Sequence, residues 1–132
     1  MMLKVRERMM GNAQTETPMM YIDQKKSRIR IYKRTLYMLG EPDFIQLLVN
    51  PASLTVAICP ANQNDKLVHK IVWKKLRGKC SYELYSRVLI RSLQNICEGW
   101  EEGESYRLTG EMIPQENIVR FDLDKAVPSS GI

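Results

Sequence analysis

The chain has 132 residues, of which 44% are hydrophobic and 27% charged. That composition fits one globular domain, or two half-domains sharing a core, and excludes a wholly disordered chain. The 20 Lys and Arg outnumber the 15 Asp and Glu, giving a net charge of +5 and an isoelectric point near 9.2. No run approaches the roughly 20 apolar residues of a membrane-spanning helix, so no membrane is expected. Residues 1–10 carry Lys4, Arg6 and Arg8 but no apolar stretch, which argues against a secretory signal. Cys59, Cys80 and Cys97 are an odd set without framework spacing. They read as reduced thiols in a cytoplasmic protein.

The charge is unevenly spread. Residues 1–80 hold 15 basic and 6 acidic side chains, whereas residues 81–132 hold 5 and 9. A basic half attracts polyanions through its summed field, and nucleic acid is the default polyanion. The acidic half calls for a separate explanation.

Residues 1–19 show no period of 2 or 3.6 and read as an N-terminal extension. From Met20 the chain becomes periodic. Tyr21-Ile22 is strand-like, Asp23 to Ser27 is a polar turn, and Arg28-Ile29-Arg30-Ile31 alternates as a half-buried strand does. Lys33 to Leu39 reads as a short helix, stopped by Gly40 and Pro42. Phe44–Val49 and Leu54–Cys59 read as a hairpin around Asn50-Pro51-Ala52-Ser53, closed by Pro60. After a polar connector at 61–68, His69–Trp73 reads as a strand, Lys74–Lys79 as a basic turn and Ser81–Tyr85 as a strand. Ser86 is placed to cap a helix from Arg87, with Leu89, Leu93, Ile96, Cys97 and Trp100 on one face. Gly99 and the acidic run through Glu104 end it, and Ser105–Met112 and Ile118–Leu123 form a last hairpin. Residues 124–132 form a C-terminal tail, within which Pro128-Ser129-Ser130-Gly131 reads as loose.

The element order repeats: strand, polar or basic turn, strand, short helix, strand, turn, strand. The first copy spans 20–60 and the second 69–123. Neither copy alone buries enough apolar area, so the two are expected to share one barrel-like core. The fold class expected is mainly β (α+β), built from two β-β-α-β-β repeats.

The first copy resembles the swapped-hairpin barrel family of AbrB, MazE and MraZ-type DNA-binding proteins. The resemblance lies in Asp23-Gln24-Lys25-Lys26-Ser27-Arg28, the strand Ile29-Arg30-Ile31, the helix end Tyr37-Met38-Leu39-Gly40 and the hairpin that follows. The second copy offers Arg77-Gly78-Lys79 and the strand Tyr82–Tyr85, and two copies in one chain look most like MraZ. The pattern covers 20–123, but the residue motif covers only about 20–60. The first turn has an extra residue and no glycine, Tyr32 stands where a proline often follows the strand, the second helix is longer, and the second copy lacks the Asp. The chain also resembles small uncharacterised proteins of bacterial mobile elements.

The resemblance implies a swapped-hairpin barrel whose first turn and adjoining strand face duplex DNA. The corresponding basic set here is Lys25, Lys26, Arg28, Arg30, Lys33 and Arg34. Arg28 and Arg30 are two apart on one strand and so share a face, and arginine presents a fork that matches guanine edges. A solvated strand face guarding a sheet edge would carry the same charges. The second basic set is Lys70, Lys74, Lys75, Arg77 and Lys79 around Trp73 and His69. Cations interleaved with an aromatic suit single strands by stacking plus phosphate contact, but Trp73 is the more natural core residue, which leaves some of the lysines a phosphate-contact role. Pseudo-symmetry would let the two basic turns straddle one duplex.

These sites give the expected function: a non-enzymatic DNA-binding protein, acting in transcription regulation on double-stranded DNA. Homo-oligomers fit, because tandem half-sites raise affinity through avidity. The alternative is a protein-interaction module of a mobile element, an inhibitor or antitoxin-like binder using the acidic half and Trp100. No catalytic residues, metal or cofactor are expected. His69 has no partner at a diagnostic spacing, no C-x-x-C pair occurs, and the glycines of the acidic run lie where phosphate is repelled.

Overall fold

Alternation sets the sheet. In the strand Arg28–Tyr32, Ile29 and Ile31 are buried while Arg28, Arg30 and Tyr32 remain partly exposed. The computed structural model describes residues 17–129. The described residues are mainly β, with 41% in strands and 21% in helices. In chain order the elements are β1 (Met19–Asp23), β2 (Arg28–Tyr32), α1 (Lys33–Met38), β3 (Phe44–Asn50), β4 (Thr55–Pro60) and β5 (His69–Lys70). A 3-10 turn (Trp73–Leu76) leads to β6 (Ser81–Tyr85), α2 (Arg87–Ile96), β7 (Ser105–Ile113) and β8 (Ile118–Asp122). A second 3-10 turn (Leu123–Lys125) and β9 (Val127–Pro128) follow. Among the described residues no helix is long and apolar enough to cross a membrane.

The strands form one antiparallel sheet, curled into a half-barrel, in the order β5-β3-β4-β8-β7-β1-β2-β6, with β9 also on β7. Three hairpins supply local pairing: β1–β2, β3–β4 and β7–β8. The other pairings join distant segments: β1 with β7, β2 with β6, β3 with β5 and β4 with β8. The inward positions of these strands make one core that includes Met20, Ile22, Ile31, Ile58, Leu108 and Phe121.

Strand β7 serves both halves of the sheet. Residues 105–109 pair with β1, and residues 110–113 pair with β8. The change of partner falls at Gly110, where a Cβ would lie 2.7 Å from the Arg120 carbonyl oxygen and 2.7 Å from the Phe121 ring. Only a residue without a side chain lets β8 approach there. The Gly110 N–H is also used, donating to the Pro18 carbonyl at 2.9 Å.

The helices follow their local signals. Gly40, at φ 84°, takes the left-handed position after α1, and the Gly40 and Glu41 N–H groups donate back to the Tyr37 and Leu36 carbonyls. The Ser86 hydroxyl accepts from the Leu89 N–H at 3.1 Å and caps α2. Helix α2 buries Ile90 and Leu93, and Cys97 continues that face. The helix ends at Ile96, before Trp100.

Two expectations are corrected. The strand expected over His69–Trp73 is only His69–Lys70 long, because Trp73 turns into a 3-10 helix and donates its indole N–H to the Pro42 carbonyl at 3.0 Å. The tail is not wholly loose, since Val127 and Pro128 pair with Arg107 and Tyr106. Residues 1–16 of the expected extension and 130–132 of the tail lie outside the described residues.

Gly110→Ala is expected to destabilise the fold by about 1–3 kcal/mol through overpacking. Adding Phe121→Leu is expected to recover part of that loss. Urea midpoints for the single and double variants test this, and an unchanged midpoint for Gly110→Ala would remove the corner from the account.

Candidate nucleic-acid interface

The first basic set divides by environment. Lys25 and Lys26 are exposed on the turn between β1 and β2. The Asp23 carboxylate accepts from the Lys26 backbone N–H at 3.2 Å. Gln24, in the same turn, is buried. Its side-chain NH2 donates to the Glu101 and Glu104 carbonyls at 2.8 and 2.7 Å, and its Oε1 accepts from Gln94 Nε2 at 2.7 Å. This clamp fixes the acidic loop beside the basic turn, and the Lys25 stem lies against Gly103. The two sequence features therefore partly cancel each other's field.

Arg28 and Arg30 share one face of β2, as their spacing requires. Across the strands, the register puts Asp23 opposite Arg28 and Glu83 opposite Arg30. Arg28 Nη2 lies 3.0 Å from Asp23 Oδ2 and its Nη1 3.4 Å from Glu83 Oε2, while Arg30 Nε lies 3.2 Å from the same oxygen. The Arg28 side chain is only 13% exposed, and its Nε is buried without a hydrogen-bond partner. Burial works against the Glu83 carboxylate, but the hydrogen bond from Arg30 and the charge of Arg28 outweigh it and hold the group below its usual value. Lys33 is half-buried, with its backbone N–H on the Cys80 carbonyl at 2.9 Å. Arg34 donates to the Thr17 carbonyl at 3.2 Å and lies over the Tyr32 ring, 5.9 Å from its centroid.

The second set gathers at the seam where the half-barrel stays open. β5 and β6 are the two ends of the strand order, and the chain between them lines a groove of about 600 Å³. Lys70, Lys75 and Lys79 enter it, joined by Arg30 from the first set. Tyr82 and Tyr85 also line it. Lys74 and Arg77 are outside the groove lining. Trp73 packs against the core and stacks on Tyr37 at 5.7 Å, so it is not the groove's aromatic. Burial pushes the His69 imidazole pKa down. Sequence reasoning missed Tyr85 and Glu83 as site residues. The available signal was the alternation in Ser81–Tyr85, but it needs the pairing with β2 before it says what the side chains meet.

A second concavity lies away from these cations. It has a volume of about 830 Å³ and an acidic rim that includes Glu98, Glu101 and Asp124. Trp100 and Tyr106 stack in its wall at 4.5 Å. Burial pushes the Cys97 thiol, also in this wall, up to about 11. Among the described residues no three His, Cys, Asp or Glu side chains group as metal ligands. Comparison of the chain with family models, curated proteins and solved structures returned no match.

Glu83 is ionised in the folded protein below the ordinary glutamate value of 4.5. Its contribution to stability is therefore full above that value and is lost as the pH falls through the lower folded one. Glu83→Gln is expected to flatten this part of the acid limb. Urea midpoints at neutral and acid pH check it, and equal acid losses in both proteins would show that the Arg28–Glu83–Arg30 network is not coupled to folding.

Proposed function

We propose that the chain is a non-enzymatic nucleic-acid-binding protein that holds DNA along its basic seam. One observation carries this reading. Arg30, Lys70, Lys75 and Lys79, from separate stretches of the chain, converge on one groove beside two tyrosines. Three are lysines outside the ion pairs of the described residues, so their charge is available to phosphates. Such contacts release counterions and give affinity that weakens with salt.

More broadly, we propose a regulator of transcription with a swapped-hairpin barrel made of two repeats. Support comes from the pairing scheme. The β3–β4 hairpin pairs with β5, as the β7–β8 hairpin pairs with β1. β2 pairs with β6 and β4 with β8, each with its counterpart in the other repeat. The β1–β2 pairing has no counterpart, since β5 is two residues long. A second reading, an interaction module for a basic protein partner, is favoured by the acidic concavity around Trp100 and Tyr106.

Fluorescence anisotropy of a labelled random duplex at low and moderate salt tests the proposal. Binding is expected to weaken steeply with salt. Lys75→Glu with Lys79→Glu is expected to lower affinity at least about tenfold and to reduce the salt slope by about 1 for each phosphate no longer neutralised. Absence of binding at low salt by the duplex and by its separated strand alike would overturn the reading and turn attention to a protein partner.

A further inference from the structure

The outer face of β6, β2, β1 and β7 carries an alternation that the phosphate-binding seam does not explain. Apolar side chains fill most inward positions, while tyrosines and arginines alternate outward with the carboxylates Asp23 and Glu83, and the Tyr85 hydroxyl donates to Glu83 at 3.3 Å. The registers order them: Tyr85 stands opposite Arg28, Arg30 opposite Tyr21, and Tyr21 opposite Arg107. Tyr32 lies two residues beyond Arg30 on β2, which makes it the diagonal neighbour of Tyr21, about 7–8 Å away. Tyr85 is 62% exposed, and Tyr21 and Tyr32 are half-buried. The Tyr21 hydroxyl is anchored to Ser129 Oγ at 3.3 Å, which fixes the ring without using its face.

We infer that this face is a stacking platform for single-stranded nucleic acid, with Tyr85 and Tyr32 as the base-binding rings and the seam lysines holding the backbone. The inference rests on the nucleic-acid reading above and deepens it by naming the form of the ligand. Aromatic rings on a sheet have faces to offer, and only unpaired bases have faces to receive them. Arg34 over Tyr32 adds a guanidinium plane of the kind on which bases also stack. Tyr85 and Arg30 belong both to this face and to the groove lining, so one strand can cross β6 from the rings to the lysines without leaving the surface.

The same surroundings disfavour a duplex. Arginine forks that read a major groove must project freely, whereas Arg28 and Arg30 are held back on Asp23 and Glu83. The β1–β2 turn that would enter a groove has the acidic loop clamped beside it through Gln24. A duplex entering by that turn brings two phosphate rows past the acidic loop, which a single strand laid across the sheet face avoids; on that face Asp23 and Glu83 are each paired with an arginine.

The test compares a labelled oligonucleotide of about 16 nucleotides, within the span such surfaces cover, with the duplex it forms. The intact chain is used at one salt concentration. The single strand is expected to bind at least about tenfold more tightly. Tyr85→Ala and Tyr32→Ala are each expected to weaken the single strand about fivefold or more, as loss of one base stack does, and to leave the duplex unchanged. Tyr85→Phe should retain the stack. Tyr85 is exposed, so its variants report binding rather than folding, and thermal unfolding confirms this for both positions. Lys75→Glu should weaken both forms alike. Equal or tighter duplex binding, or tyrosine variants that leave the ratio unchanged, would overturn the platform and leave the seam intact. Binding of neither form would overturn both readings.

Discussion

A nine-residue strand has to belong to both halves of this sheet, and a glycine lets it do so. At Gly110 the backbone of β7 passes against the Arg120 carbonyl and the Phe121 ring with no room for a Cβ. Everything to one side of that contact, β1, β2 and β6, is attached through residues 105–109. Everything to the other, β8, β4, β3 and β5, is attached through residues 110–113. The curl that follows brings the two ends of the sheet towards each other without joining them. The groove between β5 and β6 is the remaining gap, so the basic seam is a product of the same geometry that closes the core.

The cations have divided their work. Arg28 and Arg30 stand in a ladder with Asp23 and Glu83, where each charge orients its neighbour and little is free for a ligand. Arginine suits such a role, because its planar fork loses little freedom per hydrogen bond. The lysines at the seam are outside these ion pairs, and their flexible stems can follow an irregular phosphate backbone. The acidic residues are similarly split. Glu83 works inside the sheet face, while the loop of Glu101 to Glu104 is pinned by its main chain to Gln24 and lines a separate concavity.

Local signals were legible wherever the chain had to satisfy itself locally. The alternation in Arg28–Ile31, the Ser86 cap and the Gly40 stop need only neighbours a few residues away. The same holds for most strand limits. What could not be read depended on register between distant segments. Nothing near Glu83 says that it will face Arg30, and nothing near Gln24 says that its amide will take two carbonyls of a loop far along the chain. Trp73 failed for a related reason. Its alternating neighbours describe a strand, but Tyr37 and Pro42 draw the indole out of the ladder. Tyr85 was visible as a residue and invisible as part of the proposed site, because neighbours on a sheet face are set by pairing in space.

The placement of β1 has a consequence for how the molecule is made. Met19 pairs with Thr109, and Asp23 with Ser105. During synthesis, the first hairpin therefore emerges with both edges open and waits for most of the chain before both are covered. Such long-range pairing slows folding, since loop-closure entropy is spent before the contacts form. Without β6 and β7, the strands β1 and β2 are a two-stranded ribbon with Met20, Ile22, Ile29 and Ile31 on one face, and a lone ribbon of that kind is marginally stable in water. The outward side chains of that ribbon, Arg28 and Arg30 among them, are charged, and charge of this kind discourages an open sheet from pairing with a copy of itself.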